Sequence, residues 1–398
     1  MIATNGKHMH ILMSADAVGG VWTYAINLIT ASPQVRFTLA IRGPAPREDQ
    51  LAEARQLSNA ELVQIPGALE WMDEPWPEVE RAHEQLFDLA DRLRPDIIHL
   101  NDYSTGALPF AQPVLVVGHS CCLSWWKSLK GTRPPAHWNE YRRRVTAGLR
   151  SADMVVAPSR AMLSNLLHFY PPLHRVRVIY NGADAPSGPS PSVQPSPHDG
   201  RGPAPALTVL AAGRLWDEAK NLGLLLEAAP RIRAQIRIAG ELRDEPDLPE
   251  NVRMLGRLSR RDVDREMSRA DIFVHPAKYE PFGLAPLEAA LRGCALVLGD
   301  IPSLREIWDD AATYVNTSSA GALAEAINRL AIQPGALRTA QSDAQRQART
   351  YSADRFARSY HELYRALRIH DVRRWAARSL RSNGSATMPT PFSHTAGT

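Results

Sequence analysis

The nine residues Glu280-Pro281-Phe282-Gly283-Leu284-Ala285-Pro286-Leu287-Glu288 join two carboxylates to a loop able to hold an anion. Pro286 suits the first turn of a helix and Gly283 frees the chain before it. The amides of Gly283, Leu284 and Ala285 would then face a cleft, with Glu280 in the loop and Glu288 in the first helical turn. One carboxylate at each end of such a nest could grip sugar hydroxyls on one side and a ribose on the other. The plainer alternative is a loop carboxylate at Glu280 and a dipole-favouring one at Glu288. Upstream, Gly213 lets a strand turn sharply into a loop flanked by Arg214 and Lys220, and Asn221 can begin the next helix. Two cations beside a helix start suit a phosphate or diphosphate, although two solvated bases would look the same. His119 ends an apolar strand, where a side chain can reach a cleft or be satisfied by neighbouring backbone. Asp102 ends the preceding strand and is the better acceptor-side candidate, whereas His99, between Ile98 and Leu100, reads as packed. Asp16, before Gly19-Gly20, is another. Trp125 and Trp126, read as lying on a loop after Cys121-Cys122, could stack on a sugar, cover an apolar acceptor, or be core.

These residues need a scaffold, and the chain alternates short apolar strands with amphipathic helical stretches. Strands are expected at Met9–Met13, Arg36–Ile41, Leu62–Ile65, Asp96–Leu100, Val114–Gly118, Met154–Ala157 and Val176–Ile179. Helical patterns between them include Val21–Ile29, Pro77–Leu93 and Tyr141–Leu149. Runs such as Val-Leu-Val-Val suit parallel strands buried on both faces. From Ala183 to Ala206 the chain is rich in Pro, Ser and Gly and reads as an extended linker. The alternation then restarts, with strands at Leu207–Ala212, Gln235–Ala239, Asp271–His275 and Ala295–Leu298, and two longer helical patterns ending near Leu367. The expected division is therefore 1–183, a linker 184–206, 207–350, C-terminal helices 351–381 returning toward the first half, and a disordered tail 382–398. Two α/β halves of this kind place a ligand in the cleft between their strand ends.

No Gly-x-Gly-x-x-Gly follows the first strand and no Gly-Lys-Ser/Thr loop occurs, so nicotinamide, flavin and P-loop chemistry lose support. Three cysteines without ligand spacing argue against a disulfide framework and a zinc site. No apolar run approaches a membrane span and Met1 to His10 lacks a secretory pattern. A cytoplasmic location is expected, with peripheral contact at the inner membrane face as an addition.

The stretch Glu280 to Glu288 resembles the glutamate-seven-glutamate signature of retaining glycosyltransferases of the GT-B fold. Gly213-Arg214 with Lys220 resembles their basic diphosphate pair, and together the motifs resemble glycosyltransferase family 4. Gly19-Gly20, the block Val155 to Arg160, the block Val178 to Asp184 and the block Ile301 to Ile307 are similar to further parts of that family in the same order. The resemblance implies two Rossmann-like domains, acceptor-binding first and nucleotide-sugar-binding second. It implies that Arg214 and Lys220 neutralise the diphosphate without a metal, and that Glu288 binds the ribose. Glu280 would hold the donor sugar and stabilise positive charge at its anomeric carbon. The amides of Gly283 to Ala285 and the Gly19-Gly20 loop would meet the diphosphate or sugar. Leu258 would mark the segment that cradles the base, and His119 would contact the donor sugar across the cleft. The donor would be a UDP- or GDP-sugar; acceptors in the family range over glycans, lipids and small metabolites. An epimerase or phosphorylase on the same fold, and a non-catalytic nucleotide-sugar-binding subunit, stay open as alternatives.

With 46 Lys plus Arg against 42 Asp plus Glu, the net charge of +4 is too weak for a dedicated nucleic-acid binder. Much of it sits in a tail bearing Arg373, Arg374, Arg378 and Arg381 against Asp371. A second concentration is Lys127, Lys130, Arg133, Arg142, Arg143, Arg144 and Arg150, which face only Glu140 within residues 127–150. A phosphorylated or membrane-borne acceptor would suit it; a solvated helix face is the commoner outcome.

Overall fold

A computed structural model describes residues 8–185, 207–241 and 247–383. The expected linker (from 186 on) and tail (from 384 on) lie outside the described residues. The first half forms a seven-stranded sheet from His10–Asp16 (β1), Arg36–Gly43 (β2), Ala60–Pro66 (β3), Ile97–Leu100 (β4), Val114–Val117 (β5), Met154–Ala157 (β6) and Val176–Val178 (β7). The second forms a six-stranded sheet from Thr208–Ala212 (β8), Gln235–Ala239 (β9), Val252–Gly256 (β10), Ile272–His275 (β11), Ala295–Gly299 (β12) and Thr313–Val315 (β13). The strand orders are β3-β2-β1-β4-β5-β6-β7 and β10-β9-β8-β11-β12-β13. Every pairing is parallel.

Strands β5 and β12 carry no polar side chain, because helices cover both faces: all four residues of β5 and all five of β12 are buried. The edge strands β10 and β13 escape sequence reading, since both are short and neither is apolar throughout. In each sheet the order reverses once, between β1 and β4 and between β8 and β11. Loops leaving those strands diverge there and open a crevice at their carboxyl ends.

The last helix, Ala353–Asn383, runs past the expected end near Leu367, since neither Gly nor Pro interrupts the chain before Gly384. It packs on the first half. Phe356 and Tyr360 meet Tyr24 of helix Gly20–Thr30 edge-on at 5.3 and 6.0 Å, and His361 Nε2 contacts Ser32 Oγ at 2.8 Å. That cover explains why helix Gly20–Thr30 is apolar on nearly every side. The two chain crossings between the halves run together. Ala183 bridges Ser352, and a Cβ on Gly182 would sit 2.5 Å from the Ser352 carbonyl, so only glycine fits.

The halves also grip each other directly. Glu306, from the second, accepts the backbone amides of Arg160 and Ala161 at 2.7 and 2.9 Å and the Tyr180 hydroxyl at 3.0 Å. It thus places a carboxylate at the N-terminus of helix Arg160–Phe169 in the first half, where the helix dipole favours it.

Candidate active site

On the second wall, Gly213 leaves β8 at φ 152°, and Asn221 takes a left-handed conformation at φ 58°. The Asn221 amide donates to the carbonyls of Pro276 and Thr317 at 3.0 and 2.8 Å, tying the loop to the ends of β11 and β13. This brings Lys220 Nζ to 2.7 Å from Glu280 Oε2, which also meets His275 Nε2 at 3.1 Å. Burial pushes the Glu280 carboxyl up, but the Lys220 charge and the His275 hydrogen bond override it and hold it well below the usual range. Ser303 donates to the Glu280 carbonyl and fixes the loop backbone.

Gly283, at φ 94°, opens helix Leu284–Leu291 with no side-chain cap. Its amides of Leu284 and Ala285 therefore begin the helix at a flexible residue, as an anion nest requires. Glu288 lies in the second turn, not the first, because the helix starts at Leu284 rather than near Pro286. There it meets Arg260 Nη2 at 3.4 Å. Arg260 also reaches Glu53 at 3.1 Å and Asn27 at 2.8 Å in the first half, so Glu288 sits at an interdomain clasp. Leu258 is half-buried between β10 and helix Arg260–Met267.

Arg214 connects the walls. Its Nη2 bonds Asp217 Oδ2 at 3.2 Å, its guanidinium lies over the Trp216 ring, and a Cβ on Gly19 would come within 3.2 Å of its Nη1. Gly19 caps helix Gly20–Thr30, and a Cβ on Gly20 would touch Leu284 at 3.9 Å. The glycine loop thus lies against the second wall. Burial raises the pKa of Asp16, which the Val18 amide and the Arg214 charge partly offset. Trp125 Nε1 donates to Asp217 Oδ1 at 2.9 Å, and Trp71 stacks on Trp216 at 6.2 Å.

The tryptophan pair is not on a loop. Both residues belong to helix Cys122–Lys130, whose first turn is capped by the Cys121 thiol rather than by an oxygen. Successive helical residues point about 100° apart, so only Trp125 reaches the second wall. Trp126 instead bonds Thr132 at 3.2 Å.

The first wall is built differently. His119 Nε2 contacts Asn101 Oδ1 at 2.7 Å and its ring packs on Tyr24. Burial lowers its pKa to about 3, which leaves the imidazole neutral. His99 is fully buried between Tyr24 and Tyr364. Asp102 does not stand free in the cleft: it accepts from Ser14 Oγ at 2.6 Å and lies 3.6 Å from the buried Arg42. Behind it, Glu70 accepts from the Ser104 amide at 2.6 Å, and Ser104 Oγ contacts His83 at 3.1 Å.

Sequence reasoning passed over His275, Asp217, Arg260 and Glu70. His275 ends a strand as His119 does, so the same rule could have marked it. Asp217 stood inside the basic motif as a spacer. Arg260 and Glu70 carry no local signal. Among the described residues, no group of three or more His, Cys, Asp or Glu side chains is placed to hold a metal ion, and no helix is long and apolar enough to cross a membrane.

Residues 18–185 match the model of Glycosyltransferase Family 4, and residues 202–348 match that of Glycosyl transferases group 1. The chain belongs to glycosyltransferase family 4. The family 4 chain is 29% identical to a glycogen synthase of Mycobacterium tuberculosis over 281 residues, covering 64% of this chain and 63% of that one. It is 30% identical to an alpha-maltose-1-phosphate synthase of the same species over 216 residues, covering 46% and 55%. It therefore spans less than two thirds of the length of these curated relatives. Among solved structures it superposes on a sucrose-phosphate synthase from Thermosynechococcus elongatus with a TM-score of 0.71 at 18% identity, covering 90% of this chain and 99% of that one. It superposes equally well on Anabaena HepE, solved in complex with UDP and glucose, at 19% identity over 90% and 100% of the two chains. The fold is GT-B.

Proposed function

We propose that this chain is a metal-independent, retaining glycosyltransferase that moves a sugar from a nucleoside diphosphate to an acceptor hydroxyl. The observation that carries the reading is Lys220, Glu280 and His275 joined at the second switch point. Arg214 faces the first wall beside them. The names of the curated relatives, and the UDP and glucose held by the Anabaena structure, support a nucleotide-sugar donor, here a UDP- or GDP-sugar.

In this reading Arg214 and Lys220 neutralise the diphosphate, a charge-assisted role that basic groups fill without a metal. Glu288 takes the ribose, Leu258 marks the base segment, and the amides of Gly283, Leu284 and Ala285, with the Gly19-Gly20 loop, meet the diphosphate or sugar. Glu280 stays ionised across neutral pH and offsets positive charge developing at the anomeric carbon. His119, neutral, donates or accepts at the sugar without adding charge. As the anomeric carbon–phosphate bond breaks, the acceptor oxygen bonds the same face. Its proton passes to the departing phosphate oxygen. The protein supplies position and field rather than a nucleophile. Asp16 and Trp125 lie on the acceptor side, and Asp102, held by Ser14 and Arg42, supports it without standing free in the cleft.

A panel of nucleotide sugars, scored by thermal shift, donor hydrolysis and the anomeric configuration of the product, tests this. One base should raise the melting temperature, turnover should survive EDTA, and Arg214→Ala and Lys220→Ala should each cut donor turnover by ~10²-fold or more. Unchanged turnover in both variants would show the diphosphate assignment to be wrong.

A further inference from the structure

The basic stretch at residues 127–150 does not behave as one solvated face, because the structure divides its cations into two groups. Lys130 meets Glu218 at 2.5 Å. Arg143 and Arg144 both bind Glu140 at 2.6 Å, and Arg144 also binds Glu80 and covers the Trp76 ring. Arg150 donates to the Pro171 carbonyl at 2.6 Å. These four are already engaged.

Lys127, Arg133 and Arg142 are the other three, and they line one open cavity of ≈ 370 Å³ together with His168, Thr132 and Phe169. No carboxylate lines it. Lys127 Nζ lies 3.4 Å from His168 Nε2, so its nearest polar neighbour is another nitrogen rather than an acid. Arg142 Nε is shut off from solvent and has no hydrogen-bond partner among the described residues. Thr132, which accepts from Trp126, leaves its own hydroxyl proton to give.

Three like charges sharing a cavity repel, and a surface serving solubility alone would disperse or pair them, as Lys130, Arg143 and Arg144 are paired. What such a cavity fits is a compact polyanion with several acceptor oxygens. A phosphate group matches two guanidinium forks and an ammonium in both charge and geometry. We infer that Lys127, Arg133, Arg142, Thr132 and His168 form a phosphate-binding pocket outside the donor cleft. Its Lys127 belongs to helix Cys122–Lys130, the helix that carries Trp125 to Asp217. A phosphate held there is positioned beside the acceptor wall, whether it belongs to a soluble ligand or to a lipid headgroup.

The test compares three full-length proteins of known charge: wild type, Arg133→Gln/Arg142→Gln, and Arg143→Gln/Arg144→Gln, which removes the same charge from the paired arginines. Each is titrated with inorganic phosphate at fixed ionic strength by calorimetry. Each is also co-sedimented with phosphatidylcholine vesicles with and without one third phosphatidic acid. The pocket variant should bind phosphate, or the phosphatidic acid vesicles, at least tenfold more weakly than wild type. The paired-arginine variant should stay within about twofold. Binding in the phosphate arm identifies a soluble source, and binding in the vesicle arm alone identifies a lipid one. Arg142→Lys, which keeps the charge but not the fork, should recover part of the loss and guards against a folding artefact. Equal loss in both double variants, or no binding by wild type in either arm, would overturn the pocket. Donor hydrolysis should be unchanged in the pocket variant, so its failure is separable from that of the donor assignment.

Discussion

Glu280 and Glu70 are both largely buried carboxylates in loops at the end of a parallel sheet, one on each wall of the cleft, and their chemistry is opposite. Glu280 has Lys220 at 2.7 Å and is held well below the usual carboxylate range. Glu70 has only neutral donors, the Tyr103 and Ser104 amides and the Ser104 hydroxyl, and burial with the nearby Asp102 charge pushes it up to about 7. Burial opposes ionisation at both sites; the presence or absence of a cation decides the result. The pattern extends across the walls. The second pairs its charges, as in Lys220–Glu280 and Arg214–Asp217, although at Glu288 burial outweighs Arg260 and raises the carboxyl pKa. The first suppresses charge at its imidazoles, with His83, His99 and His119 lowered to about 4, 3 and 3 by burial, while Asp102 keeps its charge beside Arg42. Paired charges on the second wall suit the charged donor proposed above, and the neutral imidazoles of the first suit an uncharged acceptor hydroxyl.

The sharpest way to break this contrast is to remove the cation. Lys220→Ala leaves the Glu280 carboxylate buried with only His275, so both the donor charge and the fixed anion are disturbed at once. Donor turnover is expected to fall by ~10²–10³-fold, the cost of losing one preorganised charge partner. The melting temperature should fall too, because an uncompensated buried charge destabilises the fold. Glu280→Gln should cost similar activity with less stability. Steady-state kinetics and thermal denaturation of the two variants check this; near wild-type turnover in both would reduce the pair to a structural strut.

The next effect lies on the first wall and is read as stability against pH. Glu70 binds its proton more tightly folded, at about 7, than unfolded, at 4.5. Between those values the folded state carries the extra proton, so its stabilising contribution is complete below pH 4.5 and is lost as the pH rises to about 7. The slope is at most about 1.4 kcal/mol per pH unit, and it vanishes above that window. Glu70→Gln keeps the acceptor oxygen but cannot titrate, and should remove this decline. Urea unfolding at pH 5, 6, 7 and 8 measures it. Parallel curves for variant and wild type would mean that the two walls do not differ in the way described.

How legible each wall is in the sequence follows from how it is assembled. The second wall is built from two contiguous stretches, Gly213 to Asn221 and Glu280 to Glu288, because each loop leaves one strand and immediately starts a helix. Short-range spacing therefore reports it, and the apolar central strands of both sheets are plain for the same local reason. The first wall gathers Ser14, Arg42, Glu70, His83, Asp102 and Ser104 from five separate segments. Only the strand order joins them, so no window of sequence contains the cluster. Asp102 alone is visible, by its strand-end position, and its buried partners are not. Interdomain pairs such as Arg260 with Glu53 are hidden more deeply, since they depend on how the two halves face each other.

The smallest effect tests whether the walls act together. Asp217 is buried and accepts from Arg214 through one oxygen and from Trp125 and the Ala219 amide through the other. Trp125 is the first wall's contribution to holding the residue that orients Arg214. Trp125→Phe keeps the ring and deletes the N–H, removing one hydrogen bond to a charged acceptor while the Ala219 amide still satisfies that oxygen. The cost should be near the lower end of the ~1.5–3 kcal/mol for such bonds, or about tenfold in kcat/KM for the donor. Trp126→Phe, whose N–H serves Thr132 instead, is expected to stay within twofold. Because the ring is retained, thermal stability should change little in either variant, which separates loss of orientation from loss of packing. Equal kinetics for the two variants would mean that Arg214 is set by its own wall alone, and that closure of the cleft adds nothing to the placement of the charge.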